Sequence, residues 1–439
     1  MNRERLLRIA LGLIIVAYIA VGTLYAVFTP AWQVPDEPAH YNYIRSLAEG
    51  DGLPVMEAGD YDQEYLSRLT TERFPPELSI ASLEYEDHQP PLYYLLATPV
   101  YRLFDGAVLP LRLFSVLLGV GVLITTFGTV RTLFPDRPEL AVTASALVAF
   151  IPQHVAMTAG VNNDVLAELC VGATLWSLVA YGRARVRRAW WVGVFIGAAL
   201  LTKTTAYFVV LLAPLAVFLR ARDEGRDWRW ALAEMAWMLG PALLLALPWF
   251  VRNGLTYGWL DPLGLKRHEA VVDGQLRTMD YVEEHGWAGL LRRLVTFTFQ
   301  SFWGQFGWMA VVIPPHTHIY DALAAFSLAL LGGFIWWLLS LRHGDLDAGQ
   351  QIGLALLAAT VVLTGAAFLA FNVEFVQHQG RYLFPALASI GTAAALALWK
   401  WADLLPRRAR PWSVAILFLG FVILDVGCLF KFIVPALAR

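Results

Sequence analysis

The sequence predicts an all-α, polytopic membrane protein, and two observations support that class. Of the 439 residues, 58% are hydrophobic and only 15% are charged, whereas about 25% of the residues in a typical soluble domain are charged. Apolar runs long enough to cross about 30 Å of hydrocarbon recur along the chain. The formal net charge of −2 gives no support to nucleic-acid binding, which usually accompanies a strongly basic domain. We therefore expect lipid-borne or small partners and no nucleic acid.

About eleven apolar runs are predicted to cross the membrane. The first follows several arginines and lacks a small-residue cleavage site, which favours an uncleaved signal anchor. The fifth and sixth are short and meet at residues 202–205. Both cysteines, Cys170 and Cys428, fall inside apolar runs, so neither a disulfide nor a zinc site is predicted. The predicted spans cover residues 7–29, 108–131, 138–157, 164–182, 189–202, 204–220, 231–251, 319–341, 350–371, 382–401 and 412–434.

The distribution of basic residues predicts the orientation of these spans. Arginines concentrate in alternate connections, with clusters near residues 3–8, 131–137, 183–188, 220–229 and 400–410. Basic residues favour the cytoplasmic side, so the N-terminus is predicted to be cytoplasmic and the C-terminus to lie outside. The abundance of Arg and Ala over Lys favours a bacterial source, and hence the bacterial cytoplasmic membrane.

Two long segments then face outward from a single membrane domain that covers residues 1–439. The first long loop, residues 30–107, contains fourteen Asp or Glu against four Arg, and the second long loop is residues 252–318. Because loops carry most functional residues, the chemistry is expected there.

The acid pair Asp36 and Glu37 stands between Pro35 and Pro38, just after the first span. Asp36 is predicted to cap an amphipathic helix along the membrane surface that ends at Gly50. A structural cap is one interpretation of the pair and a catalytic carboxylate is the other. Both can hold together, since a helix N-terminus also keeps a general base ionised.

A second short helix is predicted later in the same loop, in EDHQPPLYYLLATPVYRLF. It is too short to span a membrane and fits an interfacial or re-entrant position. His88 would then lie near the entry of a lipid headgroup, or it would be a solvated helix cap.

Seven segments in this order resemble the protein O-mannosyltransferases and the bacterial lipid-carrier-dependent glycosyltransferases of the GT-C superfamily, a group that includes the lipid A aminoarabinose transferases. The resemblance extends over nearly the whole chain and includes His40, four residues after Asp36. The second long loop is too short for the soluble domain that eukaryotic protein mannosyltransferases insert there, so a compact membrane-only enzyme is expected. The segments are PDEPAH, HQPPLYYLL, LRLFSVLLG, VNNDVLAELC, LLTKTTAYF, LPWFVRNGLTYGWLDPLG and QGRYLFPAL.

The resemblance implies a polyprenyl-phosphate-sugar donor and a hydroxyl acceptor on a cell-envelope glycan, a lipid or a protein. It further implies that Asp36 is the general base and that Glu37 orients the acceptor or shares that role. The sugar, the acceptor and the choice between a monophosphate and a diphosphate carrier stay open.

Further candidates for substrate binding are polar residues at the ends of spans. Asp164, with Asn163, is interpreted either as a second functional acid or as a helix N-cap. Lys203, Arg252 and Arg381 are candidates to bind the lipid phosphate, or they extend to lipid headgroups. The family pattern favours Arg381, with its neighbours Gln379 and Tyr382. The secondary candidates are Arg102, Arg112, Lys266, Arg267 and His268.

No metal site is predicted, and no cofactor is required. His316 and His318 have a spacing compatible with a divalent cation shared with the acids of the first long loop, but two histidines do not make a site. FQSFWGQFGWM, residues 299–309, is predicted to be an aromatic interface helix rather than a sugar platform, since Trp and Tyr favour that depth.

Two other classes of protein are weighed against an enzyme. A transporter or flippase would place acids inside its spans and show internal repeats, whereas this chain concentrates its acids in a loop. Lys203 between two short helices is a feature that transporters share. A structural scaffold explains the spans but not the acids framed by prolines.

Overall fold

The computed structural model describes residues 3–184, 186–272 and 274–438, and this part of the chain is mostly helical. The predicted all-α, polytopic class is confirmed. Arg185, one of the predicted cytoplasmic arginines, lies outside the described residues. The α-helices are α1 (Arg3–Phe28), α2 (Glu37–Glu49), α3 (Gln63–Thr71), α4 (Leu92–Leu103), α5 (Val108–Leu133), α6 (Pro138–Ala149), α7 (Pro152–Thr158), α8 (Asp164–Ala184), α9 (Trp190–Leu200), α10 (Leu212–Glu224), α11 (Trp228–Tyr257), α12 (Leu265–Val271), α13 (Thr278–Trp303), α14 (Ile319–Leu339), α15 (Ala348–Glu374), α16 (Leu387–Ala402), α17 (Arg410–Gly427) and α18 (Val434–Leu437).

Short irregular helices and one hairpin complete the secondary structure. Strands β1 (Gln305–Phe306) and β2 (Val311–Val312) pair antiparallel. The irregular helices are the 3₁₀ segments Thr204–Leu211, Pro315–Thr317 and Gly380–Ala386, and the π-helical segment Cys428–Ile433.

Nine helical segments within the described ranges are long and apolar enough to cross a membrane, or ten if one bent pair counts as a span. Nine of the predicted spans correspond to these segments. The predicted span 138–157 is the bent pair, because α6 and α7 meet at 68° just before Pro152, whose ring disfavours helix in the preceding residue. The predicted span 189–202 is α9, which has 11 residues and is too short to cross alone.

The two short helices predicted in the first long loop are both present. Helix α2 ends at Gly50, whose φ of 97° is a left-handed conformation that glycine adopts readily. Helix α4 begins after Pro91 and contains Pro99. Arg102 of α4 donates to the carbonyl oxygens of Leu47 and Ala48 and so satisfies the end of α2.

An apolar cluster joins the two long loops, and we call it the outer-loop cluster. It brings α2, α3 and the connection after α3 into contact with the end of α12, so the two loops form one layer above the spans. Its buried members are Ala39, Met56, Leu66, Leu69, Phe74, Leu83, Tyr85, Val271 and Val272.

The aromatic segment predicted to be a helix is divided in the structure. Helix α13 ends at Trp303 and Gly304 interrupts it, after which the chain forms the β1–β2 hairpin. The prediction of an interface helix is therefore wrong for residues 304–309. The chain reverses direction between the two strands, and Trp308 and Met309 of this turn line the cavity described below.

Candidate active site

A cavity of about 630 Å³ lies between the two long loops and the ends of three spans. Both loops contribute polar side chains, and the end of α15 contributes apolar ones. Seven of the sequence candidates line this cavity. The polar and aromatic residues that line it are Asp36, Tyr61, Gln63, Tyr85, Glu86, His88, Gln89, Lys203, Tyr207, His268, Gln275, Trp308, Phe368, Phe371, Gln377, Gln379, Arg381 and Tyr382.

Asp36 precedes α2 but its side chain does not cap the helix. Its backbone is left-handed, with φ of 66°, a conformation that Asp tolerates better than most residues. Within the described part of the chain its carboxylate accepts no bond from the first turn of α2, so the predicted capping interaction is wrong. Instead, Oδ2 accepts a bond from Nη2 of Arg381 at 2.6 Å, and Oδ1 accepts one from the hydroxyl of Tyr85 at 3.1 Å.

Four charged side chains form a row that we call the charge chain: Asp36, Arg381, Asp164 and Lys203. Nη1 of Arg381 lies 3.9 Å from Oδ2 of Asp164, and Nζ of Lys203 lies 2.6 Å from Oδ1 of Asp164. Both aspartate side chains are 23% exposed, whereas Arg381 is 6% and Lys203 10% exposed. The aspartates are therefore partly exposed and the cations mostly buried, and Asp36, Lys203 and Arg381 line the cavity.

Local structure explains how Asp164 and Lys203 meet. The side chain of Asn162 accepts a bond from the backbone N–H of Asp164 at 3.1 Å, so Asn162 caps α8 and leaves the Asp164 carboxylate free to pair. Lys203 is extended, with φ of −158°, between α9 and the 3₁₀ helix Thr204–Leu211. The predicted N-cap function belongs to Asn162 rather than to Asp164.

Arg381 is positioned by a close contact between backbones. The N–H of Gly380 donates to Oγ of Ser301 at 2.8 Å. A Cβ atom at residue 380 would lie 2.4 Å from the backbone nitrogen of Phe302 and from the carbonyl oxygen of Thr298. Only glycine fits here without a shift, so the residue before Arg381 must be glycine for this geometry.

The charge chain keeps Asp36 ionised. Burial is the largest single influence and raises the pKa of Asp36, but the charge and hydrogen bond of Arg381, together with smaller contributions from neighbouring groups, outweigh it, and the net pKa lies below its usual 3.8. Burial lowers the pKa of Lys203, but the neighbouring acids, chiefly Asp164, raise it by more than burial lowers it. The lysine therefore stays charged. Asp36 thus meets the charge requirement of a general base at neutral pH, through Arg381 rather than through a helix N-terminus.

Glu86 is a cavity residue that we did not single out from the sequence. Its Oε2 is buried and has no hydrogen-bond partner among the described residues. Burial raises the pKa of Glu86 to about 8, although Lys203 opposes the rise. Its position in EYEDHQPP, two residues before His88, was the available signal. At neutral pH the site therefore has a protonated carboxyl beside an ionised one.

Glu37 faces away from the cavity. Its side chain is 0% exposed and accepts two bonds from Arg112, at 2.7 Å to Nε and 2.6 Å to Nη2. The backbone N–H groups of Trp32 and Val161 donate to the same carboxylate. Because both oxygens are engaged in protein contacts, Glu37 has the geometry of a residue that holds the loop of Asp36 in place.

A layer of polar side chains lies behind the charge chain. Nδ1 of His40 is 2.9 Å from the hydroxyl of Tyr94, and Nδ2 of Asn163 donates to that hydroxyl at 3.3 Å. The ring of Tyr43 stacks on Tyr94 at 3.7 Å between centroids. Burial lowers the pKa of His40 to about 3, so His40 is neutral. His40 and Asn163 thus support the site from inside.

The next predicted residue, His88, lines the cavity. Its ring lies 4.4 Å from the ring of His268. Burial lowers the pKa of His88 well below 6.5 and that of His268 to about 4, which is consistent with two uncharged rings in contact. His88 is a buried wall residue, so the alternative of a solvated helix cap is wrong.

Gln379 and Tyr382 flank Arg381 at the cavity as predicted. Nε2 of Gln379 donates to the side chain of Gln377 at 2.9 Å. The ring of Tyr382 lies 5.4 Å from the guanidinium carbon of Arg381, a cation–π distance. These contacts restrict the rotamers of the arginine.

Arg252 lies apart from the charge chain. Its Nη2 donates to the carbonyl oxygens of Leu53 and Pro54, and its guanidinium lies over the ring of Trp249 at 5.1 Å. Arg267 similarly donates to the carbonyl oxygen of Met56 at 2.9 Å. Both arginines join the two long loops and do not line the cavity.

The histidines considered for a cation lie elsewhere. Nδ1 of His318 is 2.9 Å from Oδ2 of Asp321, and both side chains are exposed. Among the residues that the structure describes, no three or more His, Cys, Asp or Glu side chains cluster in a way that could hold a metal ion. The proposed sharing of a cation between His316, His318 and the acids near Asp36 is therefore wrong in geometry.

Comparison with known proteins agrees with this architecture. The family described as dolichyl-phosphate-mannose-protein mannosyltransferase matches residues 88–251, a segment that contains Asp164 and Lys203. The structure of ArnT from Cupriavidus metallidurans bound to undecaprenyl phosphate covers 100% of this chain and 74% of its own, with a TM-score of 0.54 and 14% identity. The chain has the same fold as ArnT.

A second GT-C structure is similar over most of this chain. The archaeal oligosaccharyltransferase AglB from Archaeoglobus fulgidus, in complex with an inhibitory peptide and a dolichol-phosphate, covers 97% of this chain at 15% identity and a TM-score of 0.50. This chain spans 55% of the AglB chain. No curated protein matches it at a significant level. The predicted GT-C fold is confirmed, and the apolar helices are those of a multi-pass membrane protein.

Proposed function

We propose that the protein transfers a sugar from a polyprenyl-phosphate-linked donor to an acceptor hydroxyl, with Asp36 as general base. The observation that carries the proposal is the charge chain at the cavity, in which two carboxylates and two cations alternate. ArnT and AglB were solved with undecaprenyl phosphate and dolichol-phosphate respectively, which supports a lipid-phosphate donor for this chain.

Arg381 and Lys203 are the proposed ligands of the donor phosphate. Both are nearly buried, and cations in a site with little water stabilise developing negative charge better than solvated ones. In the reaction, the bond between the anomeric carbon and the phosphate oxygen breaks as the acceptor oxygen bonds to that carbon. The acceptor proton passes to Asp36, and the polyprenyl phosphate leaves with the electron pair.

Phosphate binding would also activate the base. In the free protein Arg381 holds the carboxylate of Asp36 at 2.6 Å and lowers its proton affinity. When Arg381 turns its charge toward the donor phosphate, Asp36 loses part of that stabilisation and becomes a stronger base. The base would therefore be strongest when the donor is in place.

An apolar groove beside the site is the proposed path of the prenyl tail. It has a volume of about 1070 Å³ and lies between α13, α14, α15 and α16. Phe368 of α15 lines both this groove and the cavity of the charge chain. A donor could thus place its phosphate at Arg381 and its tail among the spans.

We place the site on the outer face of a bacterial cytoplasmic membrane, with a cytoplasmic N-terminus and an envelope glycan, lipid or protein as acceptor. The distribution of arginines along the sequence supports this orientation. The alternative of a transporter or flippase would use charges near the middle of the bilayer, whereas Asp164 and Arg381 lie at the first residues of α8 and of a 3₁₀ segment that begins a span.

The test uses the purified protein in nanodiscs with radiolabelled polyprenyl-phosphate sugars and a panel of envelope acceptors. We compare wild type with Asp36→Asn and with the control Asp51→Asn, which changes an exposed acid of the same loop. Because a general base contributes about 10²- to 10⁴-fold, Asp36→Asn is expected to lose transfer by that factor and Asp51→Asn to retain it.

Two results would contradict the proposal. Undiminished transfer by Asp36→Asn would remove Asp36 as the base. Absence of transfer from every donor, together with movement of the lipid carrier across liposomes, would favour a transporter. A chelator added to the same assay measures any dependence on a divalent cation.

A further inference from the structure

The turn of the β1–β2 hairpin has an unusual backbone. Gly307, Trp308 and Met309 are all left-handed, with φ of 55°, 55° and 63°. Glycine adopts this conformation readily, but bulky residues rarely do. Nε2 of Gln305 donates to the carbonyl oxygen of Met309 at 2.7 Å and helps to hold the turn. Strain of this kind persists where the surroundings impose it and concentrates at functional sites.

The indole of Trp308 is held from two directions. Its Nε1 donates to the carbonyl oxygen of Trp32 at 2.9 Å, and the ring of Phe74 stacks against it at 5.9 Å between centroids. Trp308 is nevertheless half-buried and lines the same cavity as Asp36. Phe74 therefore covers part of the ring while another part borders the cavity.

The same contacts connect Trp308 to the proposed base. Trp32 also has a left-handed φ, of 69°, and its N–H donates to Oε2 of Glu37 at 2.9 Å. Glu37 is held by Arg112 and directly follows Asp36. The indole of Trp308 and the carboxylate of Asp36 are thus both attached to the short segment from Trp32 to Glu37. The ion pair between Glu37 and Arg112 holds this segment in place.

The position of Trp308 indicates which substrate it meets, given the function proposed above. Lys203 and Arg381 lie beside the first residues of two spans, whereas Trp308 packs on the outer-loop cluster. A donor sugar is bonded directly to the phosphate and so would occupy the space beside Arg381. Trp308 belongs to the part of the cavity wall that the long loops form, and we expect the acceptor to approach from there.

We propose that Trp308 is the platform on which a sugar ring of the acceptor stacks, and that the acceptor is a glycan. The C–H face of a sugar ring carries partial positive charge and packs on the negative face of an indole. Polar groups at the same cavity suit its hydroxyls: Gln63 and Gln275 both line it, and Oε1 of Gln275 is buried with no partner in the described ranges. An apolar platform with a few polar groups is typical of a specific binding site.

The experiment measures acceptor and donor kinetics separately, using radiolabelled undecaprenyl-phosphate sugars with three acceptor probes: mannan or dextran tetrasaccharides, a Ser/Thr-containing peptide and a diacylglycerol. Trp308→Ala is expected to raise the KM for the tetrasaccharide about tenfold. The KM for the donor should stay unchanged. Trp308→Phe, which keeps a ring but loses the bond to Trp32, should stay within about threefold of wild type.

Trp287→Ala is the matched control, because Trp287 is 66% exposed on the same segment of chain and does not line the cavity. Three results would each overturn the platform while leaving the proposed function intact. They are an unchanged tetrasaccharide KM in Trp308→Ala, a raised donor KM in that variant, and a preference of wild type for the peptide or the diacylglycerol. An equal rise of the tetrasaccharide KM in Trp308→Phe and Trp308→Ala would assign the effect to the bond with Trp32, and this result would also overturn the platform. Absence of transfer by wild type from every donor would overturn both proposals.

Discussion

Nη2 of Arg381 lies 2.6 Å from Oδ2 of Asp36, although 345 residues separate them in sequence. The pair joins the first long loop to a 3₁₀ segment near the other end of the chain. Asp164 and Lys203 extend it into a row of alternating charges. This relationship makes specific variants informative, because each member has a partner that responds to its loss.

Arg381→Lys tests the proposed phosphate ligand. Lysine keeps the charge but lacks the planar fork that contacts two groups at once, so kcat/KM for the donor is expected to fall by about 10²-fold, the scale of losing one transition-state donor. Arg410→Lys is the control, because Arg410 also begins a span and pairs with Asp403 at 2.6 Å. Equal rates for Arg381→Lys and wild type would show that this arginine does not hold the leaving group.

Glu86→Gln tests the protonated carboxyl at the cavity. With a pKa of about 8, Glu86 is neutral at pH 7 and ionises as the pH rises through 8, which adds negative charge beside Asp36 and the donor phosphate. Wild-type kcat/KM for the donor is therefore expected to fall above about pH 8. The variant should lack this alkaline limb. An alkaline limb that persists in Glu86→Gln would assign it to another group.

Gly380→Ala tests the backbone contact that positions Arg381. The added Cβ would lie 2.4 Å from backbone atoms of α13, so the segment must move and transfer is expected to fall by about 10²-fold, as for small displacements of catalytic groups. Gly365→Ala is the control, since nothing lies within 4 Å of its Cβ position and alanine stabilises a helix by about 0.5–1 kcal/mol over glycine. Wild-type kinetics in Gly380→Ala would contradict this account.

Glu37→Gln tests whether Glu37 only holds the loop of Asp36 in place or also takes part in the reaction. Breaking a buried ion pair costs about 3–5 kcal/mol because the partner charge remains buried, here on Arg112. We expect a lower thermal unfolding temperature in detergent, whereas Asp36→Asn should lose less stability, because Asp36 is 23% exposed and Arg381 keeps Asp164 as a neighbouring carboxylate. A fully stable Glu37→Gln protein without activity would instead support a direct role for Glu37 in the reaction.

The sequence predicted much of the candidate site because charged residues are rare in apolar segments and therefore conspicuous. Asp164, Lys203 and Arg381 were singled out for that reason, and the structure brings them together with Asp36. Glu86 was missed because it lies in a loop with many acids, where one more carboxylate does not stand out. Burial distinguishes it, and burial is a property of the packed loops.

Arg252 and the aromatic hairpin show the opposite error. From the sequence, Arg252 differs little from Arg381, since both follow an apolar run at the predicted outer side. The structure directs Arg252 to the carbonyl oxygens of Leu53 and Pro54. Aromatic residues similarly favoured an interface helix over residues 304–309, but Gly304 and the pairing of β1 with β2 ended the helix.

By itself, the sequence determined the fold class, most of the spans and the short helices of the first long loop, because hydropathy, prolines and glycines act locally. It also marked most of the charged residues at the candidate site. Only the tertiary structure decided their partners: Glu37 to Arg112, Asp36 to Arg381, and Asp164 to Lys203. Ion pairing depends on distances of a few ångströms between segments hundreds of residues apart, and those distances arise only when the helices and loops pack.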